Sequence, residues 1–547
     1  MQIDQWSRSV QGARGLAGWA FALAVLAGPV PALAQAPTPV AESLLVRDFE
    51  VEGNTLLPAE TIAQTLAAYK GQGNLQRLRD AAAAVQDLYR HAGYGGVVAF
   101  LPEQKPKDGV IRIRVVEGRL SRIDVVENKQ FSRDNILASL PALAEGRTPD
   151  VRLIDAQIQI ANESPAKNVQ VLLQPGAEVG SVAARVTVAE QAVQRFNTRL
   201  DNTGTERTGR WRAALGWQHA NVAGRDQVFS AELQTAPEHP KAVAVASGAY
   251  RIPLYTQAMA LDAYAAWSDV EAGKTGTAAG ELQFSGRGTI AGLRATRYLP
   301  RVANIDQRAS LGLELRDYRN ECAIEGLPQG SCGSAGASVA VQPMGLHYIA
   351  QAVGEIRAGV GLSVQHNLAL GGAHSGAADF EAVRHGAKRN YTAWRANGNA
   401  TFAVADVGSL ALRTTAQYSH GALVSGELFG LGGSQSVRGF EERELGGDSG
   451  VQATVEFVGN NLAGTWFAPP QSDLRWLVFA DGGWIANQQG DPCLPAQSRC
   501  HMGSAGTGLR LGWQQLQLRL DLAWALTSAA STSRGDFRAH FGLTYSF

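Results

Sequence analysis

Few residues of this 547-residue chain stand at spacings from which chemistry can be read directly. The ten histidines are scattered, and no G-x-S-x-G elbow, phosphate-binding glycine loop or metal-spaced ligand cluster occurs. Catalysis, a bound metal and a cofactor are therefore not expected. What remains is a charge in an unusual setting. Arg438 lies in the Gly- and Ser-rich stretch GGSQSVRGF (Gly432–Phe440), between Val437 and the pair Gly439–Phe440. In a solvated loop an arginine only carries charge through water. Folded into a confined space, its planar fork can hold a carboxylate with two parallel hydrogen bonds. The elements around it decide between these readings.

Basic and acidic residues balance at 49 each, so no polybasic surface asks for nucleic acid. The chain starts with a basic region (Arg8, Arg14), an apolar core at Gly15–Gly28 and the small-residue site Ala32-x-Ala34 before Gln35. This pattern predicts a secretory signal peptide over residues 1–34, followed by a short linker at 35–43. No later apolar run reaches the roughly 20 residues of a membrane helix. The alternative way through lipid is a closed barrel, which also leaves no backbone group unpaired. Four cysteines fall in the exported part as two close pairs, Cys322 with Cys332 and Cys493 with Cys500. An oxidising compartment and an even count point to two local disulfides; a metal alternative has only His501 beside Cys500 in its favour.

Residues 44–119 and 120–190 each read as a small module of order β-α-α-β-β, an internal repeat of about 75 residues. In the first, a strand is expected at Leu44–Gly53, helices at Pro58–Tyr69 and from Leu75 to Gly93, and strands at Val97–Gln104 and Gly109–Gly118. The second repeats the plan, with a strand at Leu120–Glu127, helices from Ser132 and from Asp150 or Val151 to Asn162, and two closing strands. From about Gln191 the helical period gives way to strict alternation. Leu516, Leu518, Leu520, Leu522, Trp524 and Leu526 share one face, against Gln517, Arg519 and Asp521. The segments Arg308–Arg316, Val451–Phe457 and Phe537–Phe547 behave alike. Ten-residue strands with one charged face predict a transmembrane barrel with a wet lumen. Sixteen strands are expected over 191–547, with short periplasmic turns at Val222–Asp226, Asp406–Gly408 and Gln514–Gln515. Long outer loops are expected at about 320–341, 370–390, 420–449 and 487–502, which puts the two cysteine pairs in the fourth and seventh.

Several of these segments also resemble a known family. The stretch GYGGVVAFLPEQKPKDGVIRIRVVEGRL (Gly93–Leu120) resembles the polypeptide-transport-associated (POTRA) domain of haemolysin-type transporters. LLQPGAEVGSVAARVTVAEQ is similar to the end of that family's second POTRA domain. Asp201–Gln227 and Arg297–Arg301 are similar to barrel elements, and GGSQSVRGF to the signature of the sixth extracellular loop. By this resemblance the chain is identified as a member of the two-partner secretion transporters. The implied fold is two periplasmic POTRA domains followed by a 16-stranded antiparallel transmembrane barrel in the Gram-negative outer membrane. The implied function is export of one large exoprotein, bound first through POTRA strand edges; an outer-membrane barrel-assembly factor is the alternative. The implied partners are that exoprotein, outer-membrane lipid and the insertion machinery, for a monomeric pore without cofactors.

The resemblance also implies a partner for Arg438: an Asp of an F-x-D-x-G motif on the inner wall, here FADGG, Phe479 to Gly483. Alternation agrees, since Arg475, Phe479 and Asp481 oppose the apolar face of Leu474, Trp476, Val478, Ala480 and Trp484, and a carboxylate facing lipid is costly. Such a pair either latches the loop for transport or only stabilises the barrel. Val437, Gly439, Phe440, Phe479 and Gly483 complete the two motifs. Well-known members of the family plug the lumen with a helix ahead of the first POTRA domain. Here the nine residues Gln35–Ser43 include two prolines, too short for a plug and its linker. Occlusion is therefore expected to fall to the sixth loop, alone or with the POTRA domains.

Overall fold

In the computed structural model, the structure describes residues 44–547 apart from 179, 207, 270–272, 278–279, 285–286, 320–336, 353, 355–356, 465–468, 470 and 490–491. The expected leader, the linker and the Cys322–Cys332 pair lie outside the described residues.

The first module is a three-stranded sheet. Asp48–Glu52 runs parallel to the central Val110–Glu117, which pairs antiparallel with Val97–Phe100. Helices Ala59–Ala67 and Leu75–His91 cover one face with Leu66, Ala82, Val85 and Tyr89. The second module has the same order: Arg119–Val126 parallel to Ser181–Glu190, which pairs with Lys167–Pro175. Its helices are Arg133–Ala138, capped by the Ser132 side chain, and Val151–Ala161, capped by Asp150.

Two elements of the first module differ from expectation. The single strand expected at Leu44–Gly53 is divided at Arg47: Leu44–Val46 pairs with Gly71–Gly73, and Asp48–Glu52 with the central strand. The strand expected at Val97–Gln104 stops at Phe100. Pro102 has no N–H to continue the ladder, and the Gln104 side chain takes it up by pairing both ways with the Arg112 backbone at 2.7 Å.

The repeat extends to its caps. Glu117 ends the last strand of module one and accepts the amides of Thr55 (2.7 Å) and Leu56 (3.0 Å). Glu190 ends the corresponding strand of module two and accepts those of Lys129, Gln130 and Phe131 at 3.0, 2.6 and 3.0 Å. Burial by itself would raise the Glu117 carboxyl, but the Thr55 and Leu56 hydrogen bonds prevail and hold it below its ordinary 4.5. A depressed folded pKa contributes stability above 4.5 that is lost as pH falls through the folded value. In Glu117→Gln, amide exchange at residues 54–57 should therefore rise by about three- to ten-fold at pH 7, the scale of one charged hydrogen bond. The difference from wild type should close in acid; equal exchange at pH 7 would remove the cap from the account.

Beyond Glu190 the chain is a closed antiparallel barrel. Val339–Val341 and Pro343–Ala352 both pair with Ile305–Arg319 and form one strand interrupted at Gln342, which gives sixteen strands among the described residues. The first strand, Gln194–Asp201, closes on the last, Phe537–Ser546, in the register Asp201↔Gly542 to Asn197↔Ser546. The partition is inside out relative to a soluble sheet. Leu311, Leu313 and Leu315 are exposed while Ser310 beside them is buried, and Trp476, Val478 and Trp484 are exposed while Asp481 is buried. Only lipid makes such an outer face stable. Rings of Phe547, Phe196, Trp217, Phe229 and Tyr250, in stacked, edge-on and tilted contacts, run across the strand ends next to the modules, an interfacial aromatic belt. The expected short turns lie between the strand ends at 222/227, 404/408 and 513/516.

Module two is fixed to this rim by an apolar patch, Ala156 and Ile160 against Ala258, Ala260 and Tyr298, and by polar contacts around it. The Lys167 ammonium meets Asp226 of the first short turn at 2.5 Å, and Tyr255 O–H donates to the same carboxylate at 2.9 Å. Asn135 donates to the Gly224 carbonyl, and Asp155 and Glu163 of the second module pair with Arg301 and Arg251 of the barrel at 3.1 and 2.5 Å.

Candidate functional site

The sixth outer loop leaves the eleventh strand (Gly408–Ser419) and rejoins the twelfth (Ser449–Gly459). It contains a single helical turn at Ser425–Glu427 and a short hairpin of Phe429–Leu431 with Leu445–Gly447. Rather than extending outward, it enters the lumen. Leu431, Val437, Phe440 and Leu445 are buried in one apolar cluster with Ile485 of the thirteenth strand (Asp473–Ala486), Cys500 and Met502 of the fourteenth (Arg499–Trp513), and Ala525 of the fifteenth (Leu516–Ala525). Gly483 supplies the space: a Cβ there would lie 2.6 Å from the Leu431 side chain. This is a physical reason for the second glycine of FADGG.

That cluster brings Arg438 to the wall. Its Nε donates to Asp481 Oδ2 at 2.7 Å, Nη2 to Oδ1 at 2.9 Å, and its backbone N–H to Oδ2 at 3.1 Å. The guanidinium also lies over the Phe479 ring, 3.2 Å from the centroid. Arg438 of the loop motif thus meets Asp481 and Phe479 of the wall motif, but the site holds more than the motifs indicate. Nη1 donates to Glu456 of the twelfth strand at 2.9 Å and reaches Asp521 of the fifteenth at 3.4 Å. His540 of the sixteenth strand accepts the Gly439 N–H at Nε2, 3.0 Å away. Asp521 is shared with Arg510 and Arg519, and Arg519 also donates to the Ser434 carbonyl of the loop at 2.6 Å. Arg438 is 1 % exposed, the largest fully buried side chain among the described residues. Alternation had already placed Asp521 on the wet face, and Glu456 follows the same rule. What alternation lacks is register, which decides that three strands bring their carboxylates to one height.

Outside this cluster the loop is tied at further points, among them Glu441, which pairs with Arg538 of the sixteenth strand at 3.2 Å. Asp448, just before the twelfth strand, holds Arg384 of the fifth outer loop through two bonds of 2.6 and 3.0 Å. Glu444 accepts the amides of Ser531 and Thr532 in the eighth loop at 2.6 and 2.8 Å. Cys493 and Cys500 are joined in a disulfide that packs beside the Leu431–Val437 cluster. The outer loop expected at 487–502 is shorter than its sequence indicated: Cys500 stands within the fourteenth strand, because the ladder continues through Ile485↔Cys500 to Ala486↔Arg499. No cluster of metal-ligating residues occurs among the described residues.

Residues 180–511 match the haemolysin secretion/activation proteins ShlB/FhaC/HecB, and residues 44–118 match the ShlB-type POTRA domain. The chain belongs to this family. Among sequence relatives, the outer membrane transporter CdiB of Escherichia coli O6:K15:H31 is 25% identical over 459 residues, 81% of this chain and 73% of that protein. CdiB of Dickeya dadantii is 23% identical over 508 residues, 89% of this chain and 83% of that one. The solved structure of Escherichia coli CdiB superposes with a TM-score of 0.74, at 19% identity over 95% of this chain and 93% of that chain. A family member with this barrel is an outer-membrane transporter that moves a partner exoprotein across the membrane, with its POTRA region in the periplasm. The family is one of secretion pores.

Proposed function

We propose that the pore is kept shut by the sixth loop, seated on the lumen wall through Arg438 and Asp481, and that secretion begins when the loop leaves this seat. The observation that carries the reading is the burial of Arg438 among Asp481, Glu456 and Asp521 on the inner wall of the barrel. A buried arginine among carboxylates has a defined bound state and a defined penalty for leaving it. A cavity of about 1130 Å³ borders Ser434, Gln435 and Ser436 of the loop and Arg395, Arg413 and Arg519 of the wall, which leaves room for the loop to move into once its apolar cluster with Ile485, Met502 and Ala525 parts. The sixth loop is the element we assign to closure.

Capture of the exoprotein falls to the two periplasmic modules, the second being read as a POTRA domain from its matching sheet order and matching Glu cap. The outer strands Asp48–Glu52, Val97–Phe100, Arg119–Val126 and Lys167–Pro175 each have a sheet neighbour on one side only, and can add an extended segment of the unfolded partner. The working unit is a monomer in outer-membrane lipid, placed there by the insertion machinery that reads the aromatic C-terminus. The test is secretion of the cognate exoprotein by cells carrying the full chain or a form without residues 44–118. The exoprotein should reach the medium only with the full chain. Unchanged secretion after the deletion, or general loss of other barrel proteins when the chain is depleted, would favour the assembly-factor reading instead.

A further inference from the structure

The sixth loop has a second charged anchor, and it lies on the far side of the lumen. Glu427, at the root of the loop, is 1 % exposed, and its carboxylate takes four hydrogen bonds from the wall. Arg316 Nη1 donates to both oxygens at 2.7 and 2.8 Å, Tyr318 O–H to Oε1 at 3.0 Å, and Arg395 Nη2 to Oε2 at 3.3 Å. Arg316 is steadied from behind by Glu314 at 2.6 and 2.8 Å. The Glu427 carbonyl accepts Gln417 Nε2 at 2.9 Å. Gly426 lies flat against the Tyr318 ring, where an added Cβ would be 2.4 Å from a ring atom. Thus the loop root is held by shape as well as by charge.

The positions of the two anchors give them meaning. Arg316 and Tyr318 belong to the seventh strand (Ile305–Arg319), and Arg395 to the tenth (Thr392–Val404). Arg438 is held by the twelfth, thirteenth and fifteenth. In a closed ring of sixteen strands, the seventh lies five, six and eight strands from the twelfth, thirteenth and fifteenth. The loop therefore crosses the lumen as a strut pinned at both ends, with the Phe429–Leu431/Leu445–Gly447 hairpin between the pins.

We propose that Glu427 is an independent second anchor of the gate, so that the pore opens fully only when Glu427 and Arg438 have both been released. This rests on the reading of the sixth loop as the gate. Cutting the Arg438 end leaves the root held to the seventh strand, and cutting the Glu427 end leaves the tip held among its carboxylates. Either single release leaves part of the strut across the lumen.

The test is channel recording of the purified full chain in planar bilayers, for wild type, Glu427→Gln, Gly426→Ala, Arg438→Ala and the Glu427→Gln/Arg438→Ala double variant. Glu427→Gln keeps the side-chain shape and removes its charge; Gly426→Ala lifts the same root by contact with Tyr318 and changes no charge. Glu427→Gln should raise the open probability by about ten-fold, the size expected for losing one charge-assisted interaction, and Gly426→Ala should raise it in the same direction. The double variant should multiply the effects of its two components. Heat-modifiable migration on gels, which reports barrel closure, should be unchanged in all of them. Opening by Arg438→Ala with both root variants silent would overturn the second anchor and leave the gate reading standing. Full opening by Arg438→Ala, with nothing added by Glu427→Gln, would overturn it equally. No change in any variant would overturn the gate itself and the second anchor with it.

Discussion

Arg438→Ala is expected to cut secretion more deeply than any substitution of a single wall carboxylate, while the barrel still inserts and migrates as a closed form. The reason is an asymmetry of what is left behind. Asp481→Asn removes one acid, but Arg438 keeps Glu456 at 2.9 Å and Asp521 at 3.4 Å. Arg438→Ala removes the one cation that all three acids share. Asp521 retains Arg510 and Arg519, and Glu456 lies 3.7 Å from Arg413, whereas Asp481 has no other ion pair among the described residues. Stranding a buried charge costs about 3–5 kcal/mol, a factor above ~100 in occupancy of the seat. A loop without a fixed seat lies in the path of the cargo, so secretion falls while resting conductance rises. Arg438→Lys should be intermediate: a point charge keeps the Coulomb attraction but cannot span both Asp481 oxygens or stack on Phe479. Wild-type secretion in both Arg438→Ala and Asp481→Asn would remove the latch from the mechanism.

The parts of this site that could be read from sequence are those governed by local periodicity. Alternation along Leu474–Ile485 depends on neighbouring residues only, so it placed Asp481 inward without knowledge of any other strand. The same rule gives the inward faces of Glu456 and Asp521, but their meeting at Arg438 does not follow from it. The register Thr454↔Asp481 and Gly508↔Asp521 is set by the stagger of the whole closed sheet, which no single strand encodes. Glu427 is harder still. It sits in a loop without periodicity, and its partner Arg316 lies 111 residues earlier, on the seventh strand. The fork that binds it forms only when the barrel closes. Within the modules the misjudged strand ends also had local causes. Pro102 stopped one ladder, and the Gln104 amide, which no pattern of hydrophobicity marks, replaced it. Gly483 stands between these cases. The motif named it, but its purpose, room for Leu431, needed the loop in place.

Lys167→Met is expected to loosen the second module from the barrel and to reduce secretion several-fold without touching the lumen. Lys167 and Asp226 have side chains 0% and 2% exposed, with Nζ 2.5 Å from Oδ2, so the pair is sealed between module and rim. Burial pulls the ammonium below its ordinary 10.5 in spite of the adjacent carboxylate, a sign that desolvation outweighs attraction here. Removing one partner of such a pair costs about 3–5 kcal/mol, because the other charge stays buried. Asp226 would keep only Tyr255 O–H, and its Oδ1 already has no hydrogen-bond partner. The other ion pairs, Asp155 with Arg301 and Glu163 with Arg251 and Arg308, are more exposed, which leaves mainly the apolar patch of Ala156 and Ile160 on Ala258, Ala260 and Tyr298 to hold the angle. Replacing both charges, as Lys167→Met with Asp226→Leu, should recover much of the loss, since an apolar pair of similar volume is tolerated where an ion pair was sealed. The measurement is protease cleavage near residues 190–193 in the membrane-inserted protein, together with secreted exoprotein. Fast cleavage and low secretion in the single variant, both reversed in the double, would identify the elbow as a rigid guide from the periplasmic modules into the pore. Slow cleavage in the single variant would show instead that the second module is held by its remaining contacts and that Lys167 only fills space.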